Sequence, residues 1–237
     1  MVVGLAFVAV VVSSLFAQAM LVRYTAAHQP QHRAWAIALA MFALASVALA
    51  TGTSTGWDNG TFRVFYLLGA VVNVPWLAMG TVYLLVAERT ARRVLWGLVL
   101  FSGFAAGVLL SAPMETVHGT AIPVGKDVFG ALPRILAAVG SGVAAVVIFA
   151  GAIVSAIRFA RNPQLPDHGR LAGANALIAL GTLVLSSGGL VQGVVGHDEA
   201  FALSLAVGIS IVYVGFVLAS GKAREQKPRT VVKTHGE

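Results

Sequence analysis

Cysteine is absent from all 237 residues. That lack excludes structural disulfides, thiolate metal sites and cysteine nucleophiles, and it leaves the redox compartment unmarked. Charge is scarce too: Asp, Glu, Lys and Arg make up 11% of the chain, against about 25% in an ordinary soluble domain. With 58% hydrophobic residues and a mean hydropathy of +0.86, the composition excludes a soluble globular protein and points to lipid as the solvent. The net charge of +7 would suggest nucleic acid in a soluble chain. In a membrane protein basic residues have a prior use, which is to set topology.

Seven apolar stretches are long enough to cross a bilayer: Val2–Val22, Trp35–Gly52, Val64–Ala87, Val94–Met114, Ile135–Ile157, Leu171–Gly196 and Phe201–Ser220. Each is close to the ~20 residues that a helix rising ~1.5 Å per residue needs to span ~30 Å of hydrocarbon. Helix is the only economical choice for them, because lipid leaves the backbone groups of an open strand unpaired. None of the seven contains Asp, Glu, Lys or Arg.

The charges between the stretches divide sharply. The first, third and fifth connections and the C-terminal tail hold 13 of the 16 basic residues, leaving only Arg63, Lys126 and Arg134 to the other three connections. With the acids included, one side carries +9 and the other −2. The positive-inside rule makes the first side cytoplasmic. The expected architecture is therefore an all-α integral membrane protein with seven transmembrane helices, N-terminus outside and C-terminus cytoplasmic, in a plasma (inner) membrane and bacterial. Residues 1–221 form the transmembrane domain and residues 222–237 a basic cytoplasmic tail. Ala17-Gln18-Ala19 has the form of a signal-peptidase site, but no basic region precedes the long apolar run, so the first stretch reads as a retained helix. Anionic lipid headgroups at the cytoplasmic face are the partner that the surplus charge implies; nucleic acid is not needed to explain it.

Two connections share an ordered set of residues. Arg23-Tyr24, Pro30-Gln31, His32 and Arg33 after the first helix match Arg158-Phe159, Pro163-Gln164, His168 and Arg170 after the fifth. The third and seventh helices close alike, on Ala91-Arg92 and Ala223-Arg224. The matches suggest two parallel three-helix halves joined by the fourth helix, and need gaps; chance alignment of two Arg-bearing loops is the alternative. Such a plan resembles that of SWEET and PQ-loop proteins and, in helix count and orientation, of microbial rhodopsins. Their defining residues are missing here: the seventh helix has no lysine for a retinal Schiff base, and helices one, two, five and six have no internal proline. The run from Phe62 to Ala70, continuing as Val74-Pro75-Trp76-Leu77-Ala78-Met79-Gly80-Thr81-Val82-Tyr83, resembles a segment of an uncharacterised family of bacterial seven-helix membrane proteins. That likeness implies no activity.

Polar groups inside the spans are where function would show, since each needs a partner in lipid. Helix three has Asn73, Pro75 and Trp76 near its middle. Pro75 cannot donate a backbone hydrogen bond, so a carbonyl near Val71 is freed for another donor, and a kink forms beside the Asn73 amide. Helix six has Asn175, Thr182, Gln192 and the run Ser186-Ser187-Gly188-Gly189, a weak helix former that could open a cavity or pack closely. Gly140, Ser141 and Gly142 on helix five read as packing residues. Ser13, Ser14, Gln18 and Tyr213 complete a polar lining. The solute-binding set is thus Asn73, Trp76, Asn175, Gln192 and Tyr213, with Pro75 and Ser186, Ser187, Gly188 and Gly189 as hinges.

No carboxylate, lysine, arginine or histidine stands within the spans to relay protons, which disfavours ion pumping. His28-x-x-x-His32 has the spacing of a helical metal pair, but Pro30 interrupts it, and His168 and Asp167 would have to join. Glu115, His118, Asp127, His197, Asp198 and Glu199 lie on the outer connections, the longest of which runs from Glu115 to Arg134; a long connection reads as a lid, a binding loop or plain hydrophilic surface. Glu88-Arg89 has the form of a helix-end ion pair, and Asn59-Gly60-Thr61 matches a glycosylation site.

Three functions remain. Transport or channelling of a small neutral or amphipathic solute fits the polar lining. A non-catalytic ligand-binding, sensor or accessory subunit, alone or as a homo-oligomer or beside a partner membrane subunit, needs only the loops and grooves. A metal hydrolase would need the histidines, and no convincing catalytic constellation, metal site or cofactor is read from the sequence.

Overall fold

A computed structural model describes residues 1–161, 168–195 and 197–220, without the side chains of 168, 190–195 and 220. Seven helices in it are long and apolar enough to cross a membrane. They are α1 (Val2–Ala27), α2 (Pro30–Thr55), α3 (Asn59–Leu85), α4 (Glu88–Ser111), α5 (Ala131–Ala160), α6 (His168–Val195) and α7 (Asp198–Ser220). No strand occurs among the described residues. The basic tail lies outside them, as do Pro163-Gln164, Asp167 and Ala223-Arg224.

Each helix is where it is expected, but most run longer than the apolar stretch. Hydropathy locates the hydrocarbon edge, whereas the helix ends where its backbone groups find other partners. α1 stops at His28, which takes a left-handed conformation (φ 54°) while its N–H bonds to Tyr24 O at 2.7 Å. α2 begins two residues later with Pro30 at its first position, where the missing N–H costs nothing. His28 and His32 therefore stand on opposite sides of a helix boundary.

α3 begins on Asp58. Its carboxylate accepts from the Gly60 and Thr61 N–H groups at 2.8 and 3.0 Å and from the Thr61 hydroxyl at 2.5 Å. These bonds, the Thr61 hydroxyl first, hold its pKa below the usual carboxylate value.

Six helices pack as a ring in the order α1, α2, α3, α5, α6, α7 and back to α1. α4 stands outside it, against α3 and α5. Only 17% of its apolar stretch is buried, against 22–44% in the other six. Lipid must cover the rest, or another polypeptide.

Two arginines close helix ends. Arg63, in the second turn of α3, donates to Leu109 O and, at 2.8 Å, to Ala112 O, at the C-terminus of α4. Arg170, at the start of α6, donates to Leu218 O and Ala219 O at 2.6 and 2.9 Å, at the C-terminus of α7. Each cation meets the negative end of a helix dipole and its unpaired carbonyls. Arg63 is thus a structural cap inside a helix and no loop charge.

The connection between α4 and α5 folds down over one end of the ring. Met114 and Phe129 pair as an isolated antiparallel bridge, and Gly125–Val128 makes a single helical turn. Val117, Ile122, Val128 and Phe129 are buried with Ala6, Leu49, Trp57 and Phe62. The loop is also tied at three points, through Gly119 O to Trp57 N (2.8 Å), Val117 N to Asn59 Oδ1 (3.2 Å) and Ile122 N to Asp198 Oδ2 (2.8 Å). It is a fixed cap.

Candidate functional site

The middle of α3 is not an α-helix. Tyr66–Val72 is a π-helical segment, and regular α geometry resumes at Asn73. Pro75 explains the position of this break. In an i to i+5 register the carbonyl that faces residue 75 is that of Ala70, and proline has no N–H to offer it. The hydroxyl of Ser141 on α5 donates to Ala70 O instead, at 2.5 Å. Gly140, its neighbour, lets α5 approach: a Cβ there would lie 2.8 Å from the Phe101 ring and 3.2 Å from Val71 O. Gly140 and Ser141 therefore combine close packing with a hydrogen bond that replaces a backbone one.

Below the break, α3 leans on α2. Trp35 Nε1 donates to Leu77 O at 3.1 Å, and its indole lies where a Cβ on Gly80 would be. Asn73 lies seven residues before Gly80, hence on the same face. It is 5% exposed, no hydrogen bond of its side chain is found among the described residues, and its amide atoms are not among the fully enclosed, unpartnered ones, which include His32 Nδ1 and Trp57 Nε1. Ser46 on α2, 2% exposed, likewise makes no side-chain hydrogen bond among them.

The other expected members have different neighbours. Trp76 turns towards α4, where its Nε1 donates to Ser102 Oγ at 3.1 Å, and Ser102 in turn donates to Leu98 O at 2.8 Å. Asn175 donates to Leu171 O of its own helix at 2.9 Å. Tyr213 packs on Phe16, with ring centroids 5.3 Å apart. The side chain of Gln192 lies outside the described residues. No hydrogen bond joins these side chains among the described residues.

Ser14 and Gln18 are exposed on the outside of α1 and do not line the interior. α6 runs unbroken through Ser186, Ser187, Gly188 and Gly189: Ser187 bonds to Val184 O at 2.8 Å, and Gly188 is buried against Ser204 of α7. Gly188 is the packing contact of the run, whereas Ser187 and Gly189 are exposed.

Depth does unite one set of polar residues. Ser13, Ser46, Asn73, Ser141, Thr182 and Ser210 lie on six different helices. At ~1.5 Å per residue each stands about 14–21 Å from the end of its helix that lies under the capping loop. They form a polar belt near the mid-length of the ring. The hydroxyls of Ser13, Thr182 and Ser210 bond to Ala9 O, Ile178 O and Ala206 O of their own helices, so in this belt only the Asn73 amide and the Ser46 hydroxyl remain unengaged among the described residues.

No family model, curated protein or solved structure matches the chain. Function must therefore be argued from these groups themselves.

Among the described residues no three His, Asp or Glu side chains gather as metal ligands. Glu88 pairs with Arg92, one turn on, at 2.6 Å, and not with the adjacent Arg89. Asn59 spends its carbonyl on Val117 N. Of the acids expected on the outer connections, Asp198 serves as a backbone acceptor for the cap.

Three residues escaped the sequence reading. Ser141 was visible only as a small residue, Ser46 as one serine in an alanine-rich helix, and Trp57 as a loop residue. Trp57 is 4% exposed at the centre of an aromatic group with Phe62 and Phe65, centroids 5.7 and 5.3 Å away. Its only signal is an aromatic residue next to Gly56 in a short turn.

Proposed function

We propose that the chain carries small uncharged, hydrogen-bonding solutes across a bacterial plasma membrane by facilitated diffusion, with the break in α3 as the contact at mid-depth. The observation that supports this most is the Asn73 side chain, which is 5% exposed, has no hydrogen bond among the described residues and yet does not have its amide atoms sealed off, set between a π-helical segment and a proline. A polar group so placed costs free energy until something completes its bonds. A polyol or small amide would do so, and Ser46 offers a hydroxyl on α2, which packs against α3. π-helical turns recur at functional sites for this reason: they displace backbone that a regular helix would keep paired.

In this reading the capped end faces outward, as the charge bias implies. The six-helix ring exchanges onto itself when α1, α2 and α3 are swapped for α5, α6 and α7, with α4 left out; that supports two parallel halves joined by α4. A second reading, a non-catalytic ligand-binding or accessory subunit, draws on the capping loop, whose three ties and buried face present a fixed outer surface.

The test is osmotic. Proteoliposomes are challenged with glycerol or urea and their reswelling followed by light scattering. The wild type should reswell faster than protein-free vesicles, and Asn73→Leu should lower the protein-dependent rate about tenfold, the scale of one lost buried hydrogen bond. Wild-type rates equal to those of empty vesicles for both solutes would reject transport. Unchanged rates in Asn73→Leu would reject the site.

A further inference from the structure

We infer that the first two turns of α4 hold the headgroup of an anionic phospholipid whose acyl chain lies along the uncovered face of the same helix. A cleft of about 410 Å³ is lined there by Glu88, Arg89, Arg92, Arg93 and Trp96. Glu88 is engaged with Arg92 at 2.6 Å. Arg89 and Arg93, one turn apart on the same face, make no ion pair among the described residues. Like charges at that spacing repel, and an anion between them reverses the sign of the interaction. Two guanidinium groups match the oxygens of a phosphate diester or monoester in number and geometry.

What makes the ligand a lipid is the exposed apolar face that follows the cleft along α4. Trp96, 64% exposed, sits three residues beyond Arg93, the level at which an indole marks the boundary between headgroups and hydrocarbon. From there Leu100, Gly103, Phe104 and Gly107 extend along the outside of α4, with Leu100 72% and Phe104 58% exposed. A Cβ on Gly103 or Gly107 would meet nothing within 4 Å, so beside Phe104 the helix surface is open and free of side chains that would hold an acyl chain away. Charge, interfacial aromatic and exposed apolar surface follow one another along one helix, the order of the parts of a phospholipid. α4 is also the helix with the least protein cover.

The test uses the full chain in detergent, incubated with equal amounts of phosphatidylglycerol and phosphatidylcholine and examined by native mass spectrometry. The wild type should retain phosphatidylglycerol preferentially. Arg89→Gln with Arg93→Gln should lower that preference about tenfold, in keeping with the attraction of basic groups for anionic lipid. Arg33→Gln with Arg161→Gln, which removes equal charge from exposed positions on other helices, should leave it intact. Equal retention of both lipids by the wild type, no loss in the Arg89 and Arg93 variant, or an equal loss in the control pair would each overturn the assignment. So would displacement of the lipid by millimolar glycerol phosphate, since that would make the site one for a soluble anion.

Discussion

Ser141→Ala should destabilise the protein in detergent by about 1–2 kcal/mol, and the loss should shrink to a few tenths when Pro75 is also Ala. The argument is local. Interhelical hydrogen bonds within membranes contribute about 0.6 kcal/mol on average and up to about 1.7, and a carbonyl left unpaired adds part of its desolvation cost. In the native chain the Ser141 hydroxyl is the donor to Ala70 O, at the point where residue 75 has no N–H to give. Pro75→Ala returns that N–H, allows the helix to close without help from α5, and removes a residue that disfavours a helix interior by about 3 kcal/mol. Alone it should therefore stabilise. Unfolding of the four proteins in mixed micelles gives the cycle directly, with a coupling energy near 1 kcal/mol expected. A Ser141→Ala cost that is the same in both backgrounds would mean that proline and serine act independently, and that the break has another cause.

The second large effect concerns the capped end. Gly52 of α2 lies under the Trp57 indole, and a Cβ there would stand 2.3–2.5 Å from three ring carbons. Carbon atoms rest at about 3.5–4.0 Å, so the ring has to leave. It has nowhere to go within a group packed by Phe62, Phe65 and Phe129, and Trp57 N is also bonded to Gly119 O of the cap. Gly52→Ala should cost about 1–3 kcal/mol, and Gly52→Val more. The lost melting temperature should come with easier proteolysis within residues 112–130, since displacing Trp57 loosens the cap. A melting temperature equal to wild type with the cap still protected would show that Trp57 is free to move, and that the capped end is not sealed by packing.

The seven spans were legible because the solvent imposes them: lipid demands about 20 apolar residues and a helical backbone, and no local detail competes with that. Helix ends were less so. Arg63 looks like a loop charge until Leu109 O and Ala112 O are placed beside it, and only the fold can bring an α3 side chain to the end of α4. The same holds for the cap, whose Val117, Ile122, Val128 and Phe129 are too scattered among polar residues to signal a core. At the candidate site, Pro75 and Asn73 could be read from one helix alone, including a freed carbonyl close to Val71. That the carbonyl is Ala70 O, and that Ser141 meets it, depends on the π register and on the distance between α3 and α5. Trp76, Asn175 and Tyr213 were grouped by polarity. The structure gives each a different neighbour: a carbonyl of its own helix for Asn175, as amides in helices often find, the Ser102 hydroxyl for Trp76 and the Phe16 ring for Tyr213.

The central claim is that solute and water can reach Asn73. A chain without cysteine makes this directly measurable, since Asn73→Cys is the only thiol. In proteoliposomes, a small water-soluble thiosulfonate should label it, and from the uncapped side, because the loop of residues 112–130 closes the other. Leu100→Cys, which faces lipid on α4, should stay unlabelled under the same conditions. Labelling of Asn73→Cys as slow as that of Leu100→Cys from both sides would contradict the account, and would leave the break in α3 as a packed structural kink.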